Sequence, residues 1–388
     1  FGHLPPPRPQ TSVQDKRVYC EKCCYTQKYA QIRYRKNTER NRKGIILEMK
    51  KVALIELNPY HGECLYAQLR FLKSSGYDVT LFCDKSQERS VTSFDVVADR
   101  SFFWDMKSFR NLIKLRRFLI ENRVEFVILN TIQGGRVLKF MLLPFPSQMT
   151  FVGTLHNIRK LKNSFGQKLI CRKIKGVYLL AEYLKKNFEK FSKIPCSCYS
   201  SAYVPAYGSE YVEKKEGEIW AVVPGSIEYK RRDYDFLLDV AKQADECVKF
   251  ILLGNARKGE GPMFLKKVED AGLLDRFVTF DSFVSNELFQ AYMEKADWLL
   301  PLIRRRTSLV DDYMNYKVSG TFILAKAYNL PMLLDSVFAD VEGFDFPSVY
   351  YADESKFAEL VRQNAIIETN TSSSFESDRD KYLSLLNS

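Results

Sequence analysis

From Lys51 onward, short unbroken apolar runs alternate with segments of helical period, and this alternation constrains the fold more than any other feature. Lys51–Leu57 reads as a strand. The loop Asn58-Pro59-Tyr60-His61-Gly62-Glu63 follows, and Leu65, Leu69 and Leu72 then line one face of a helix ending near Gly76. Asp78–Cys83, Phe126–Leu129, Phe151–Leu155, Gly176–Leu180 and Cys196–Tyr199 continue the strand series, with a helix from about Asp105 to Asn122. Strands that are apolar at every position are buried on both faces, which implies a parallel sheet covered by helices on each side. The second half repeats the plan. Its strands are Ile219–Val223, Phe250–Leu253, Val278–Phe280, Trp298–Pro301 and Met332–Leu334; its helices are Asp233–Gln243, Gly261–Ala271, Asn286–Lys295 and a segment opening at Ser319. The expected fold class is α/β, two doubly wound domains facing across a cleft, with ligands beyond the C-terminal strand ends.

A length of 388 residues suits two domains, each large enough for its own core. The expected division is 49–205 for the first and 206–368 for the second. A polar Thr/Ser/Asn linker and a short amphipathic segment, Tyr382–Leu386, fill 369–388. Residues 1–48 begin Phe1-Gly2-His3-Leu4-Pro5-Pro6-Pro7 and run on polar, basic and without period. Met49-Lys50-Lys51 before the first strand resembles a bacterial start, so 1–48 is expected to be a non-native or disordered extension. No apolar run is long enough to span a bilayer and no signal peptide is visible, so a cytoplasmic location is expected.

The net charge of +12 is unevenly spread. Lys and Arg minus Asp and Glu gives +7 for 1–48, +14 for 49–205 and −9 for 206–388. The basic positions cluster at Arg110, Lys114, Arg116 and Arg117, and again at Arg159, Lys160, Lys162, Lys168, Arg172, Lys173 and Lys175. Apolar residues sit between them at near-helical spacing. This reads either as amphipathic helices with solvated outer faces or as a domain resting on an anionic inner-membrane surface. Nucleic acid is not expected as a partner, since no recognition helix, zinc finger or aromatic ribonucleoprotein motif is present and the second half is acidic. Cys20, Cys23 and Cys24 lack a second ligand cluster and there are three histidines, so no structural zinc site is expected. Cys83, Cys196 and Cys198 read as core thiols in a reducing compartment.

Two segments of the second half have phosphate-binding character. Ser319-Gly320-Thr321 opens an apolar helix, where free N–H groups and the positive end of the helix dipole favour an anion and Gly permits close approach. The plain alternative is an N-cap. Upstream lies Pro224-Gly225-Ser226-Ile227-Glu228-Tyr229-Lys230-Arg231-Arg232, whose cations either hold phosphate or form a solvated loop.

The second half resembles the donor domain of a GT-B-fold glycosyltransferase of the glycogen-synthase-like family 4 group. Val223-Pro224-Gly225-Ser226-Ile227 with Lys230 resembles a "G-R-L…K-G" element. Val278-Thr279-Phe280-Asp281-Ser282-Phe283-Val284, through Leu288 to Ala296-Asp297, resembles "V-x-F-x-G-x-V…A-D". Ala327-Tyr328-Asn329-Leu330-Pro331-Met332 resembles the end of "E-A-M-A-x-G-x-P-V-I". In the first half, Gly62 resembles the first loop, Thr154-Leu155-His156-Asn157 a "T-x-H-D/N" strand end, and Leu179–Lys185 a "V-S-E-x-L-K" step. The likeness covers nearly everything after Met49. It departs where the family's paired glutamates would fall, near Tyr316 and Leu324, and no Arg follows Gly225.

The resemblance implies two Rossmann-like domains. It implies transfer of a sugar from a nucleotide-diphosphate donor to a glycan or lipid-linked acceptor in bacterial surface polysaccharide synthesis. Gly225, Lys230, Arg231, Ser319, Gly320 and Thr321 are the expected diphosphate ligands. His156 is expected on the donor sugar and His61 as a base on the acceptor. Gly62, Glu63, Asn255 and Arg304 are further cleft candidates. Asp311-Asp312 is adjacent rather than spaced as a metal motif, so metal-independent transfer is expected, with no cofactor beyond the nucleotide sugar. A non-catalytic sugar-nucleotide or polyanion binder, and a sugar-nucleotide isomerase on the same fold, are the alternatives.

Overall fold

The computed structural model describes residues 50–207, 210–363 and 374–387; the expectation for 1–48 and most of the polar linker at 369–374 lie outside them. The first half forms a seven-stranded sheet. In chain order its elements are β1 (Lys51–Glu56), α1 (Glu63–Ser74), β2 (Asp78–Asp84), β3 (Arg100–Trp104), α2 (Phe109–Glu121), β4 (Phe126–Leu129) and α3 (Gly135–Met141). They continue with β5 (Thr150–Thr154), α4 (Arg159–Asn163), α5 (Phe165–Cys171), β6 (Ile174–Leu179), α6 (Lys185–Phe191) and β7 (Cys196–Cys198). The strand order is β3-β2-β1-β4-β5-β6-β7, and every pair is parallel.

The second sheet has six strands: β8 (Ile219–Pro224), β9 (Val248–Asn255), β10 (Phe277–Phe280), β11 (Trp298–Leu299), β12 (Met332–Asp335) and β13 (Ser348–Tyr351). Its order is β10-β9-β8-β11-β12-β13, again all parallel. The helices are α7 (Tyr234–Gln243), α8 (Gly261–Asp270), α9 (Asn286–Lys295), α10 (Val310–Asn315), α11 (Gly320–Tyr328), α12 (Glu354–Val361) and α13 (Phe375–Ser384). In each sheet the winding reverses beside the first strand, between β1 and β4 and between β8 and β11. Crevices open at such switch points because the flanking connections leave in opposite directions.

Burial follows the apolar runs. β8 is buried at all six positions and β12 at all four. Four helices of the second half, α7, α9, α11 and α12, start on side-chain caps: Asp233, Ser285, Ser319 and Asp353 each accept an N–H of the first turn. α11 ends at Asn329, whose φ of 53° closes the helix two residues before Pro331.

Several elements depart from the sequence expectation. β3 and β13 are edge strands that open on polar residues, Arg100-Ser101 and Ser348, and their aromatic-rich remainders stay mostly half-buried. α3 spans seven residues between Gly134 and Pro144, too few turns to show a helical period in the sequence. The C-terminal segment is longer than Tyr382–Leu386 and returns to the first half. There α13 buries Tyr382 completely, stacked on Tyr178 at 4.5 Å and tilted against Phe71.

The two halves also meet directly. Tyr183 Oη donates to the Tyr313 and Lys317 carbonyls at 3.0 and 2.9 Å, and the Ile158 N–H donates to the Tyr316 carbonyl at 2.9 Å. The Arg159 guanidinium pairs with Asp311 and, at 2.8 Å, with Asp312, and lies 4.5 Å over the Tyr316 ring.

Candidate active site

A cavity of about 1000 Å³ lies between the halves. Its first-half wall includes His61, Gly62, Glu63, His156, Asn157 and Lys160; its second-half wall includes Arg231, Tyr313, Lys317, Ser319, Gly320 and Leu324. A smaller annex of about 300 Å³ shares Arg231, Phe289, Tyr313, Ser319, Gly320 and Leu324 with it and adds Gly225, Ser226, Glu228, Arg232 and Thr321.

The first-half wall is built at the switch point. β1 ends in Glu56, fully buried, whose carboxylate accepts from the Asn58 N–H at 2.6 Å, from Asn130 Nδ2 at 2.6 Å and from Thr131 Oγ1 at 2.6 Å. Burial pushes its pKa up to about 7, against the pull of those donors. Asn130 Nδ2 also donates to the His61 carbonyl at 2.7 Å, so the β1 loop is tied to the end of β4. That loop is tight: His61 has φ of 67°. A Cβ on Gly62 would stand 2.2 Å from Gln87 Oε1, so Gly62 answers to a neighbouring side chain as well as to the cavity.

His156, at the end of β5, stacks on His61 with ring centroids 3.8 Å apart and planes 6° from parallel. His156 Nε2 lies 3.0 Å from the Asn130 carbonyl. A carbonyl only accepts, so Nε2 carries the proton and Nδ1 the lone pair. Burial, then the charge of His61, pushes the His156 pKa down to about 3, so the ring is neutral through the physiological range. His61 Nδ1 lies 3.2 Å from Glu63 Oε1. Glu63 lies deep in the cleft, yet 67% of its side-chain surface is accessible from the cavity. Enclosure by protein opposes its charge, but the hydrogen bond and charge of His61 prevail and hold the carboxyl below its usual range.

A buried chain runs from these rings to the C-terminal helix. Tyr382 Oη donates to Gln68 Oε1 at 2.9 Å, and Gln68 Nε2 donates to Asn130 Oδ1. Asn130 then holds the His61 backbone and the His156 ring at once.

In the second-half wall, Gly225 turns the chain after β8 with φ of 92°. A Cβ on the neighbouring Gly254 would stand 2.3 Å from the Gly225 carbonyl oxygen, so the two loops touch only because Gly254 has no side chain. The Arg232 guanidinium donates to the Ser226 carbonyl at 3.2 Å and to Thr321 Oγ1 at 3.3 Å, bridging the β8 loop to the start of α11. Ser319 Oγ caps Thr321 N–H, and the Ser319 carbonyl accepts from Phe322 and Ile323. This leaves the Gly320 N–H for a ligand. The cap and anion readings of this motif are therefore compatible, since the cap side chain uses one donor and Gly320 keeps another.

The sequence-predicted residues divide. His61, Gly62, Glu63, His156, Gly225, Arg231, Ser319, Gly320 and Thr321 line the cavity or its annex. Three do not. Lys230 is exposed outside both spaces, its carbonyl accepting from Ser308 Oγ at 2.9 Å; Arg232 takes the inward position. Asn255 caps its own turn, accepting from the Arg257 N–H at 2.9 Å. Arg304 is 6% exposed, paired with Asp233 at 3.2 Å and Glu354 at 3.1 Å and stacked on Phe236 at 3.7 Å, so it braces the sheet rather than the cleft. Lys160, Lys317 and Tyr313 also line the cavity and were not among the candidates; Lys160 and Lys317 stand just beside the motifs at His156 and Ser319, and only the fold turns them into the cleft. Among the described residues no cluster of His, Cys, Asp and Glu is arranged to hold a metal ion.

No family model matches this sequence, and no curated protein matches it. Solved structures do match in fold. A UDP-N-acetylglucosamine 2-epimerase superposes with a TM-score of 0.57 at 11% identity, over 88% of this chain and 95% of its own. The HepE protein of Anabaena, in complex with UDP and glucose, superposes at 0.55 with 13% identity, over 87% and 96%. The UDP-GlcNAc 2-epimerase of Neisseria meningitidis, bound to UDP-GlcNAc, superposes at 0.54 with 11% identity, over 87% and 100%. At such identities the likeness carries the fold: two Rossmann-like domains facing across a cleft, the GT-B arrangement.

Proposed function

We propose that this chain is a glycosyltransferase moving a sugar from a nucleoside-diphosphate donor to a glycan or lipid-linked glycan acceptor. The observation that carries the reading is the annex. There Arg231 and Arg232 face the N-terminus of α11 across a space that opens into the large cavity holding His61, Glu63 and His156. As the glycosidic bond breaks, its electron pair leaves with the diphosphate, and negative charge grows on the phosphate oxygens. Two guanidiniums and the Gly320 N–H supply the compensating donors, and Arg suits bidentate phosphate contact. Arg231, 59% exposed and paired with Glu228 at 2.9 Å, exchanges that partner for phosphate when the donor enters. Because these groups provide the positive charge, the transfer is proposed as metal-independent.

In the cavity, neutral His156 offers Nδ1 as an acceptor for a sugar hydroxyl. Glu63 orients His61 through Nδ1, leaving Nε2 to take the proton of the acceptor hydroxyl as its oxygen bonds to the anomeric carbon. Tyr66, Phe94, Tyr203, Tyr207 and Tyr328 line one end of the cavity, and flat aromatic faces suit sugar rings. The space exceeds what a sugar nucleotide alone needs, which favours a second substrate.

A second reading, a sugar-nucleotide isomerase, is favoured by one observation: Glu63 places a carboxylate beside the histidine pair in the cleft. The HepE and Neisseria structures hold UDP with glucose and UDP-GlcNAc respectively, so uridine nucleotides come first in the test. Thermal stabilisation by UDP and UDP-sugars is the first measurement; a ligand at 100-fold its Kd adds roughly 2.7 kcal/mol. Release of UDP that depends on an added acceptor supports transfer. Conversion of the sugar without acceptor supports the isomerase. No shift with any nucleoside diphosphate or its sugars would sink both.

A further inference from the structure

The basic residues of the first half are concentrated in one stretch. Residues 105–175 contain fifteen Lys and Arg against three Asp and Glu, a net +12 equal to that of the whole chain. α2, α3, α4 and α5 lie in this stretch and pack on one core, into which Leu112, Leu115, Leu119, Val137, Leu161 and Ile170 point. Their opposite faces are therefore turned outward together. Arg116 donates to the Pro144 carbonyl and Lys173 to the Leu143 carbonyl at 2.8 Å, gripping the loop after α3 from either side.

Two properties of this outer face point to its partner. Its cations are unspent: among the described residues, Arg110, Arg117, Lys139, Lys168 and Arg172 have no acidic partner, whereas Lys73, Lys186, Lys214 and Arg257 elsewhere are paired. Large apolar side chains stand among them. Phe165 is 73% exposed, Leu142 62%, Phe109 50% and Ile113 38%. A soluble polyanion would use the cations alone; side chains of this size projecting between them suit a phase that offers both charge and hydrocarbon.

We propose that the outward face of α2, α3 and α5 docks on an anionic lipid bilayer, with the cations at the headgroups and Phe109, Leu142 and Phe165 entering the acyl boundary. This docking rests on the surface alone. A further step rests on the transfer reading: a groove of about 400 Å³ beside α3, lined by Gly134, Leu138 and Gln167, shares Asn157 and Lys160 with the large cavity. An acceptor anchored in that bilayer would reach the cleft through it.

The test uses the full chain and sedimentation with vesicles of phosphatidylcholine alone or with phosphatidylglycerol. Each cation near an anionic surface multiplies partitioning roughly fivefold. The combined Arg110→Gln, Arg117→Gln, Lys168→Gln and Arg172→Gln variant should therefore lose about two to three orders of magnitude on the anionic vesicles at low salt. High salt should release the wild type. The pair Leu142→Ser and Phe165→Ser should weaken vesicle binding at least tenfold while leaving retention on heparin unchanged. All six positions are exposed, so melting temperatures should match the wild type and certify the fold. Three results would overturn the proposal: equal binding to neutral vesicles, wild-type binding by the charge variant, or an apolar pair without effect, which would mark a soluble polyanion instead. Failure of UDP to bind in the earlier screen would leave this docking untouched and remove only the acceptor route.

Discussion

His61 and His156 lie face to face, 3.8 Å apart between ring centroids, and only one of them is within hydrogen-bond reach of a carboxylate. Burial, and then the charge of His61 beside it, keep the His156 ring neutral, while His61 holds the Glu63 carboxyl below its usual range.

The first prediction is a pH profile. His156, with its folded pKa near 3, binds fewer protons than in the unfolded chain below about 6.5, so it withdraws stability as pH falls from 6.5 to 3. Glu56, raised to about 7, has the opposite sign: its proton stabilises fully below its unfolded value near 4.5, and this is lost as pH rises through 7. The two cancel between about 4.5 and 6.5. Glu63 and Asp84, both lowered, add to the loss on the acid side. The melting temperature should be flat from 4.5 to 6.5 and fall below that. The chain has three histidines, so imidazole NMR can follow them directly. A His156 resonance that titrates between pH 5 and 7 would contradict the buried neutral ring.

The phosphate site can be tested against its neighbour in sequence. Arg232→Ala should weaken UDP binding at least tenfold, since a hydrogen bond to a charged group contributes about 1.5–3 kcal/mol. Lys230→Ala should leave it within twofold, because Lys230 lies outside both spaces. Isothermal titration of both variants decides; equal losses would mean that the β8 loop rearranges on binding.

Gly320 and Ser319 should separate affinity from stability. A Cβ at Gly320 meets nothing within 4 Å, so Gly320→Val should fold with a small change in melting temperature yet obstruct the annex and abolish UDP binding. Ser319→Ala removes the cap and should cost about 1 kcal/mol of stability, with a smaller effect on affinity. The reverse ranking in a paired denaturation and binding series would return the motif to a plain helix start.

Tyr382→Phe should act on the histidines from the far end of the chain. It keeps the ring stacked on Tyr178 but strips Gln68 Oε1 of its donor, an unsatisfied buried acceptor worth about 1–3 kcal/mol. Freed, Gln68 relaxes its hold on Asn130, and the His61 and His156 resonances should shift although neither ring touches Tyr382. A stability loss with both resonances unmoved would reduce the chain Tyr382–Gln68–Asn130 to packing.

Much of this molecule was legible in the residues themselves. Apolar runs marked the interior strands, because a strand covered on both faces has no polar position to spare; β3 and β13, at sheet edges, escaped for the same reason. Gly225 and Ser319-Gly320-Thr321 were readable because turns and helix starts demand particular residue types locally. What the sequence determined by itself is the alternating plan, the caps and the concentration of charge. What the tertiary structure decided is which polar groups meet. Arg304 and Arg232 belong to the same residue type on similar loops, yet one is sunk among Asp233, Glu354 and Phe236 and the other faces Thr321. The stacking of His61 on His156, and the reach of Tyr382 to Gln68, depend on which strands lie side by side and where the last helix returns. Hydrogen bonds and ion pairs act over about 3 to 4 Å in space, and periodicity along the chain holds no record of distances across it.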